Sequence, residues 1–152
     1  MADERELTNV DGILRRQVVT PWTKDGNPLS VAFRPTPKDK RRLSTDQERT
    51  TPGDSFHGYE TRTGTRPHST WGISVSGILG VHECLPEEVR EVGRLAVIDD
   101  GGTAGLHDSH ASVVFSANYD GASSNRTQKY DERIARELKK EAIDRGRLYP
   151  PT

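Results

Sequence analysis

One cysteine, Cys84, is too few for an intramolecular disulfide framework, and its isolation points to a reducing compartment. Nowhere do about 18 apolar residues follow one another, so no segment reads as a membrane-spanning helix. The first residues, Met1 to Glu6, lack an apolar core, which argues against a secretory signal. Aromatic side chains make up only 6% of the chain, and Phe33 is the only ring near the basic run Arg34–Arg42, so the aromatic interleaving of a single-strand nucleic-acid binder is missing there. A net charge of −1 gives no overall attraction to nucleic acid or to an anionic membrane. These absences predict a cytoplasmic protein with no membrane partner.

What is present is polar and rich in turns. Apolar residues account for 31% and charged residues for 30%, alongside 14 Gly and 9 Pro. Apolar clusters nevertheless recur along the whole chain, which separates it from disordered sequences. A length of 152 residues suits one modest core. The expected organisation is a flexible polar tail over 1–9 and a single α+β domain over 10–149.

The periodicities give the parts of that domain. Gly12 to Val19 reads as a strand that stops at Pro21, and Asp25-Gly26 as a turn towards a second strand at Leu29–Arg34. Leu43 to Thr45 reads as a brief strand or a loop anchor. Thr51 followed by Pro52, with Asp54 three residues after Thr51, reads as a helix start, and Gly58 as the end of that short helix. Trp71, Ile73 and Val75 alternate with small residues, predicting a half-buried strand within the apolar run that continues to Val81. Leu85, Val89 and Val92 predict a short acidic helix. Leu95–Ile98 and Ala111–Ala117 read as strands. Tyr130, Ile134, Leu138 and Ala142 repeat every four residues, so a long amphipathic helix should run from about Thr127 to Arg145 and stop at Gly146. The expected fold is a small, mostly antiparallel sheet of about five short strands, with this C-terminal helix packed on it.

Charge is uneven. Arg34 to Arg49 carries a local net of +3, His82 to Ser109 a local net of −5, and Arg126 to Arg147 again +3. Arg34, Lys38, Lys40, Arg41 and Arg42 flank the stiff Pro35-Thr36-Pro37 exit from the expected strand. They form a candidate binding surface for a protein partner or for the phosphates of a nucleic acid.

Several motifs carry a resemblance. Arg16-Gln17-Val18, Pro21-Trp22, Ala32-Phe33-Arg34-Pro35-Thr36-Pro37-Lys38-Asp39 and Leu43-Ser44 together resemble a group of short bacterial proteins. The strand at Gly72–Val75, the His110 strand and the Arg145–Tyr149 ending fit as well, so the similarity covers most of the chain. It implies a bacterial, single-domain protein and transfers no catalytic residue.

The chemical candidates centre on histidine. His68-Ser69-Thr70 and His110-Ala111-Ser112 are two His-x-Ser/Thr triplets at strand starts, and on neighbouring strands they would resemble the paired motifs of the 2H phosphoesterases. That likeness implies one imidazole as base, the other as acid, and the hydroxyls of Thr70 and Ser112 on a phosphate. The triplets are closer in sequence than that family places them, and Ser69 stands where an apolar residue is usual. The same residues also read as surface histidines near strand starts. Asp99, Asp100, His107, Asp108 and His110 offer metal-ligand chemistry but no established ligand spacing; a polar turn explains them equally. Arg16 in an early strand, or Phe56-His57-Gly58 with Tyr59, resembles the nicotinamide-ribose contacts of ADP-ribosyltransferases, without a suitably placed glutamate. Cys84, beside Glu83, is a poor nucleophile candidate. Gly101-Gly102-Thr103-Ala104-Gly105 matches neither phosphate-loop nor dinucleotide spacing, and no motif implies a cofactor.

The reading that follows is a small bacterial accessory or binding protein acting through a protein partner, in a setting such as a defence or toxin–antitoxin operon. The alternative is a hydrolase or transferase acting on nucleotides or RNA ends through His68 and His110.

Overall fold

Alternation of side chains along extended backbone gives the main sheet two unlike faces, one apolar and one polar. The computed structural model describes residues 5–7, 12–35, 42–84, 87, 95–103, 106–115 and 125–151. Strands β1 (Arg5–Glu6), β2 (Ile13–Val18), β5 (Arg42–Asp46), β6 (Ser69–Ser74), β7 (Ala96–Asp99) and β8 (His110–Val114) form it, in the order β1-β7-β8-β5-β2-β6. All its pairings are antiparallel. Strands β3 (Thr23–Lys24) and β4 (Asn27–Pro28) make a separate hairpin. Among the described residues the helices that accompany the strands include α1 (Pro52–Thr63), α2 (Val75–Glu83) and α3 (Asn125–Arg145). This is the expected α+β architecture, with the C-terminal helix packed on the sheet.

On the apolar face, Leu14 and Val18 of β2, Leu43 of β5, Ile73 of β6, Val97 of β7 and Val113 of β8 are buried. Ile134, Ala135, Leu138 and Ala142 of α3 close over them, at helical spacings of one face, together with Ala32 and Phe33. On the polar face, Arg15 lies opposite Asp46, and Asp46 opposite His110. Helix α1 covers part of that face.

Local signals explain the element ends. The Thr51 hydroxyl accepts from the Asp54 amide at 3.2 Å, capping α1 as expected. The helix does not stop at Gly58. It runs on to Gly64, whose φ of 74° ends it in the left-handed conformation. A helical glycine costs about 1 kcal/mol relative to alanine, and the burial of Phe56 in the first turns outweighs that.

Other expectations are corrected. Residues 5–7 are not part of a free tail: Arg5 and Glu6 pair with β7, and the Leu7 amide donates to the Val97 carbonyl at 2.7 Å. Val31 to Phe33 is not strand but the end of a 3-10 turn, Ser30–Phe33. Ala32 and Phe33 are adjacent yet both buried while Val31 is 45% exposed, a pattern that alternation cannot produce. The Asp25-Gly26 turn, with both φ positive, therefore joins β3 to β4 rather than to that segment. The apolar run from Trp71 is strand only as far as Ser74, and all six residues of β6 are buried rather than half-buried. Ser74 then caps α2, its hydroxyl accepting from the Gly77 amide at 2.9 Å. The Glu141 carboxylate of α3 accepts from the Ser74 amide at 3.1 Å and also from the Ser74 hydroxyl. A side chain from the last helix thus fixes where strand becomes helix.

The acidic helix expected at Leu85–Val92 lies outside the described residues, apart from position 87. Leu148 and Tyr149 seal the outer edge of β6: the Leu148 amide donates to the Thr70 carbonyl at 2.9 Å, and the Thr70 amide to the Tyr149 carbonyl at 2.7 Å. The Tyr149 ring packs on Phe56, with centroids 4.9 Å apart.

Leu138, fully buried under the sheet, should be costly to truncate. Leu138→Ala is expected to lower the unfolding free energy by about 2–5 kcal/mol in urea titrations. Lys140→Ala, on the exposed side of the same helix, should stay within about 0.5 kcal/mol of the wild type.

Candidate functional site

Two histidines three residues apart, His107 and His110, stand at the entry to β8, and each is held by its own carboxylate. His110 Nδ1 lies 2.6 Å from Asp100 Oδ1, and the Ser112 hydroxyl donates to Asp100 Oδ2 at 2.6 Å. His107 Nε2 meets Asp46 Oδ1, and the Ser55 hydroxyl donates to Asp46 Oδ2. The two arrangements match: each carboxylate has one oxygen on an imidazole and the other on a serine hydroxyl. The imidazole rings meet edge to face, with centroids 5.4 Å apart. Among the described residues, no hydrogen bond occupies Nδ1 of His107 or Nε2 of His110.

Burial differs across the pair. Asp46 and Asp100 are almost wholly buried, and the His110 side chain is 7% exposed against 27% for His107. Burial alone would raise the Asp100 pKa. The hydrogen bonds from His110 and Ser112, with the charge of His110, outweigh it and hold the carboxyl below its ordinary value. Arg42 adds a contact at 3.4 Å.

The Asp46 side continues inward as a chain of hydrogen bonds. Ser55 Oγ accepts from Gln17 Nε2 at 2.6 Å, and Gln17 Oε1 accepts from the Thr70 hydroxyl at 2.6 Å. Three strands and a helix thereby fix one imidazole: β6, β2 and β5 from below, and α1 from above.

The histidines line a cavity of about 340 Å³ whose walls include Arg15, Ser44, Tyr59, Arg62 and Leu106. Arg15 donates to the carbonyls of Thr50 at 3.1 Å and Glu48 at 3.3 Å. Burial lowers its pKa, with the charges of Glu48 and Asp46 opposing, and it remains a cation at neutral pH. With Arg62 it makes the cavity suited to an anion. A second, wider groove of about 1010 Å³ runs between α2 and α3 past Cys84 and Lys140, and no imidazole lines it.

Of the residues singled out from sequence, His110 and Ser112 belong to this site. Thr70 serves it from a distance, as the far end of the Gln17 chain, and does not reach the cavity. His68 is not part of it. The strand it precedes, β6, is separated from β8 by β5 and β2, and three spacings of about 4.8 Å put about 14 Å between them. The two triplets therefore do not sit on neighbouring strands. The His68 ring bonds the Ser69 hydroxyl at 2.8 Å, which also accepts from Trp71 Nε1.

Asp99, Asp100, His107, Asp108 and His110 do not converge as ligands, and among the described residues no cluster of three or more such groups is arranged for a metal ion. Arg16 donates to the carbonyls of Ala32 and Ser44 and lies over the Trp22 ring, tying the 3-10 turn to the sheet. His57 bonds the Tyr149 hydroxyl at 3.0 Å. Lys38, Lys40 and Arg41 lie outside the described residues. Arg34 pairs with Glu132 of α3 at 3.3 Å.

Sequence reasoning missed Asp46, Ser55 and Arg15, named Tyr59 only beside His57 in a nicotinamide-ribose pattern, and placed His107 only in a metal cluster. The partner of His107 is 61 residues away in the chain, beyond any local motif. No protein-family model matches the chain, and comparisons with curated proteins and with solved structures find no match.

Two outcomes test this construction. A Cβ at Gly101 would lie 2.0 Å from the Asp108 carbonyl oxygen, so the loop cannot admit one without separating the strand end carrying Asp100 from the turn carrying His107. Gly101→Ala is expected to cost about 1–3 kcal/mol by denaturant titration. Asp100 has a lower pKa folded than unfolded, so its contribution to stability is present above the ordinary carboxylate value of about 3.9 and is lost as pH falls through the folded value. The stability gap between the wild type and Asp100→Asn, measured in urea at stepped pH, should be widest near neutrality and shrink below about pH 4.

Proposed function

We propose that the protein is a hydrolase or transferase that acts on a phosphate ester by acid–base catalysis, with His107 and His110 as the proton-transferring pair. The observation that carries this reading is the pairing itself: two imidazoles in edge contact, each oriented by a buried carboxylate, in a cavity that also presents Arg15 and Arg62.

The chemistry follows from the parts. A neutral imidazole accepts the proton of an attacking water or hydroxyl as the new P–O bond forms. The second, protonated imidazole gives its proton to the leaving oxygen as the old P–O bond breaks. Asp46 and Asp100 fix each ring's orientation, while the guanidinium groups face the charge on the phosphate oxygens. His110, deeper and held by an ionised Asp100, suits the acid; His107, more exposed, suits the base. This retains the phosphate chemistry expected from sequence and replaces His68 with His107. The basic run offers less to the partner-binding reading, because its described members, Arg34 and Arg42, contact Glu132 and Asp100 within the fold.

Turnover of p-nitrophenyl phosphate and bis-p-nitrophenyl phosphate tests the proposal. His107→Ala and His110→Ala should each lower kcat/KM about 10²–10⁴-fold with the fold intact by circular dichroism. Asp46→Asn should reduce activity and shift the pH–rate profile, whereas Lys140→Ala should change neither. Unchanged turnover in both histidine variants, or no turnover of either ester by the wild type, would sink the reading.

A further inference from the structure

One face of α1 runs from the buried relay out to the cavity mouth. Ser55, Tyr59 and Arg62 are spaced four and three residues apart, so they lie in line along the helix over about 10 Å. Ser55 holds Asp46, while Tyr59 and Arg62 line the cavity. The Tyr59 ring is half-buried there. Among the described residues it has no aromatic neighbour, and its hydroxyl has no hydrogen bond. Leu106, immediately before His107, contributes a second apolar wall. The cavity thus combines imidazole and guanidinium groups with a flat aromatic ring and an aliphatic side chain. Its volume of about 340 Å³ is at the small end of ligand pockets.

On the catalytic reading above, we infer that the ligand is a single nucleotide, free or at the end of an RNA chain, with its phosphate by His107 and its base against Tyr59. A nucleotide joins the two chemistries the cavity offers, an anion at one end and a π-face at the other. Bases held by enzymes are commonly stacked between aromatic and apolar side chains, and such stacking tolerates any base. The small volume admits one nucleotide and leaves the remainder of a chain outside.

The test is calorimetric titration of the full chain with inorganic phosphate, ribose 5-phosphate, AMP and a trinucleotide bearing a terminal phosphate. AMP should bind at least about ten-fold more tightly than ribose 5-phosphate, the factor expected of one stacked base. Tyr59→Ala should remove that difference and leave phosphate binding in place, Tyr59→Phe should keep it, and Arg62→Ala should weaken all the phosphates together. Binding of the trinucleotide as tight as that of AMP assigns the site to RNA ends, and preference for AMP assigns it to free nucleotides; both support the inference. Equal affinity for AMP and ribose 5-phosphate, or an unchanged AMP affinity in Tyr59→Ala, overturns it. If esters are still turned over with loss in the histidine variants, only the nucleotide assignment has failed and the catalytic reading stands.

Discussion

Two carboxylates buried beneath the polar face of the sheet impose the main constraint on this molecule. An ionised carboxylate removed from water is costly unless hydrogen bonds and opposite charge replace its hydration. Asp46 and Asp100 are each 4% exposed or less, and each has both oxygens engaged. The groups that engage them come from the length of the chain: Ser55 from α1, His107 from the loop before β8, His110 and Ser112 from β8 itself. Satisfying two side chains therefore ties α1 to the sheet and holds His107 and His110 beside the end of β7. The apolar face, closed by α3, needs only matching volume; the polar face needs particular atoms at particular places.

The asymmetry explains what could be read from sequence. Elements whose ends are set by neighbours in the chain were legible: Thr51 caps α1, Gly146 with a φ of 91° follows α3, and β2, β5, β7 and β8 overlap the short apolar segments read as strands. Elements decided at a distance were not. Val75 continues the alternation of Trp71 and Ile73, yet a carboxylate from α3 turns the chain into helix one residue earlier. Phe33 follows Ala32 into the core because a 3-10 turn, not a strand, brings it there. The site divides in the same way. His110 and Ser112 were visible because they share a strand face two residues apart, whereas Asp46 and Ser55 become meaningful only through the register that sets Asp46 opposite His110. The +3 and −5 segments gave no guide to the cavity's cations, since Arg15, Arg16 and Arg62, which line it, lie in neither.

The hydrogen-bond chain from Thr70 through Gln17 and Ser55 to Asp46 also gives the site a rigid side and a softer one. Its members are buried, and such chains lose more when broken than their separate bonds imply, because each remaining group is left unpaired in a low dielectric. Thr70 is held in turn by backbone bonds to Leu148 and Tyr149. Arg62, by contrast, is an exposed side chain on the outer turns of α1. The groups behind His107 are thus buried and mutually bonded, and the rim at Arg62 is exposed.

The contact of Glu141 with Ser74 bears on how the chain reaches this structure as it is made. Synthesis proceeds at about 5–20 residues per second, so Glu141 follows the last residue of α2 by several seconds. During that interval the first turn of α2 has its own serine cap but not the carboxylate that fixes the switch from strand to helix. Trp71 to Val81, the most apolar run in the sequence, meanwhile keeps the alternating pattern that would let it extend as strand. The final helix therefore does more than cover a finished sheet: it adds the last hydrogen bonds to a strand-to-helix junction made long before it.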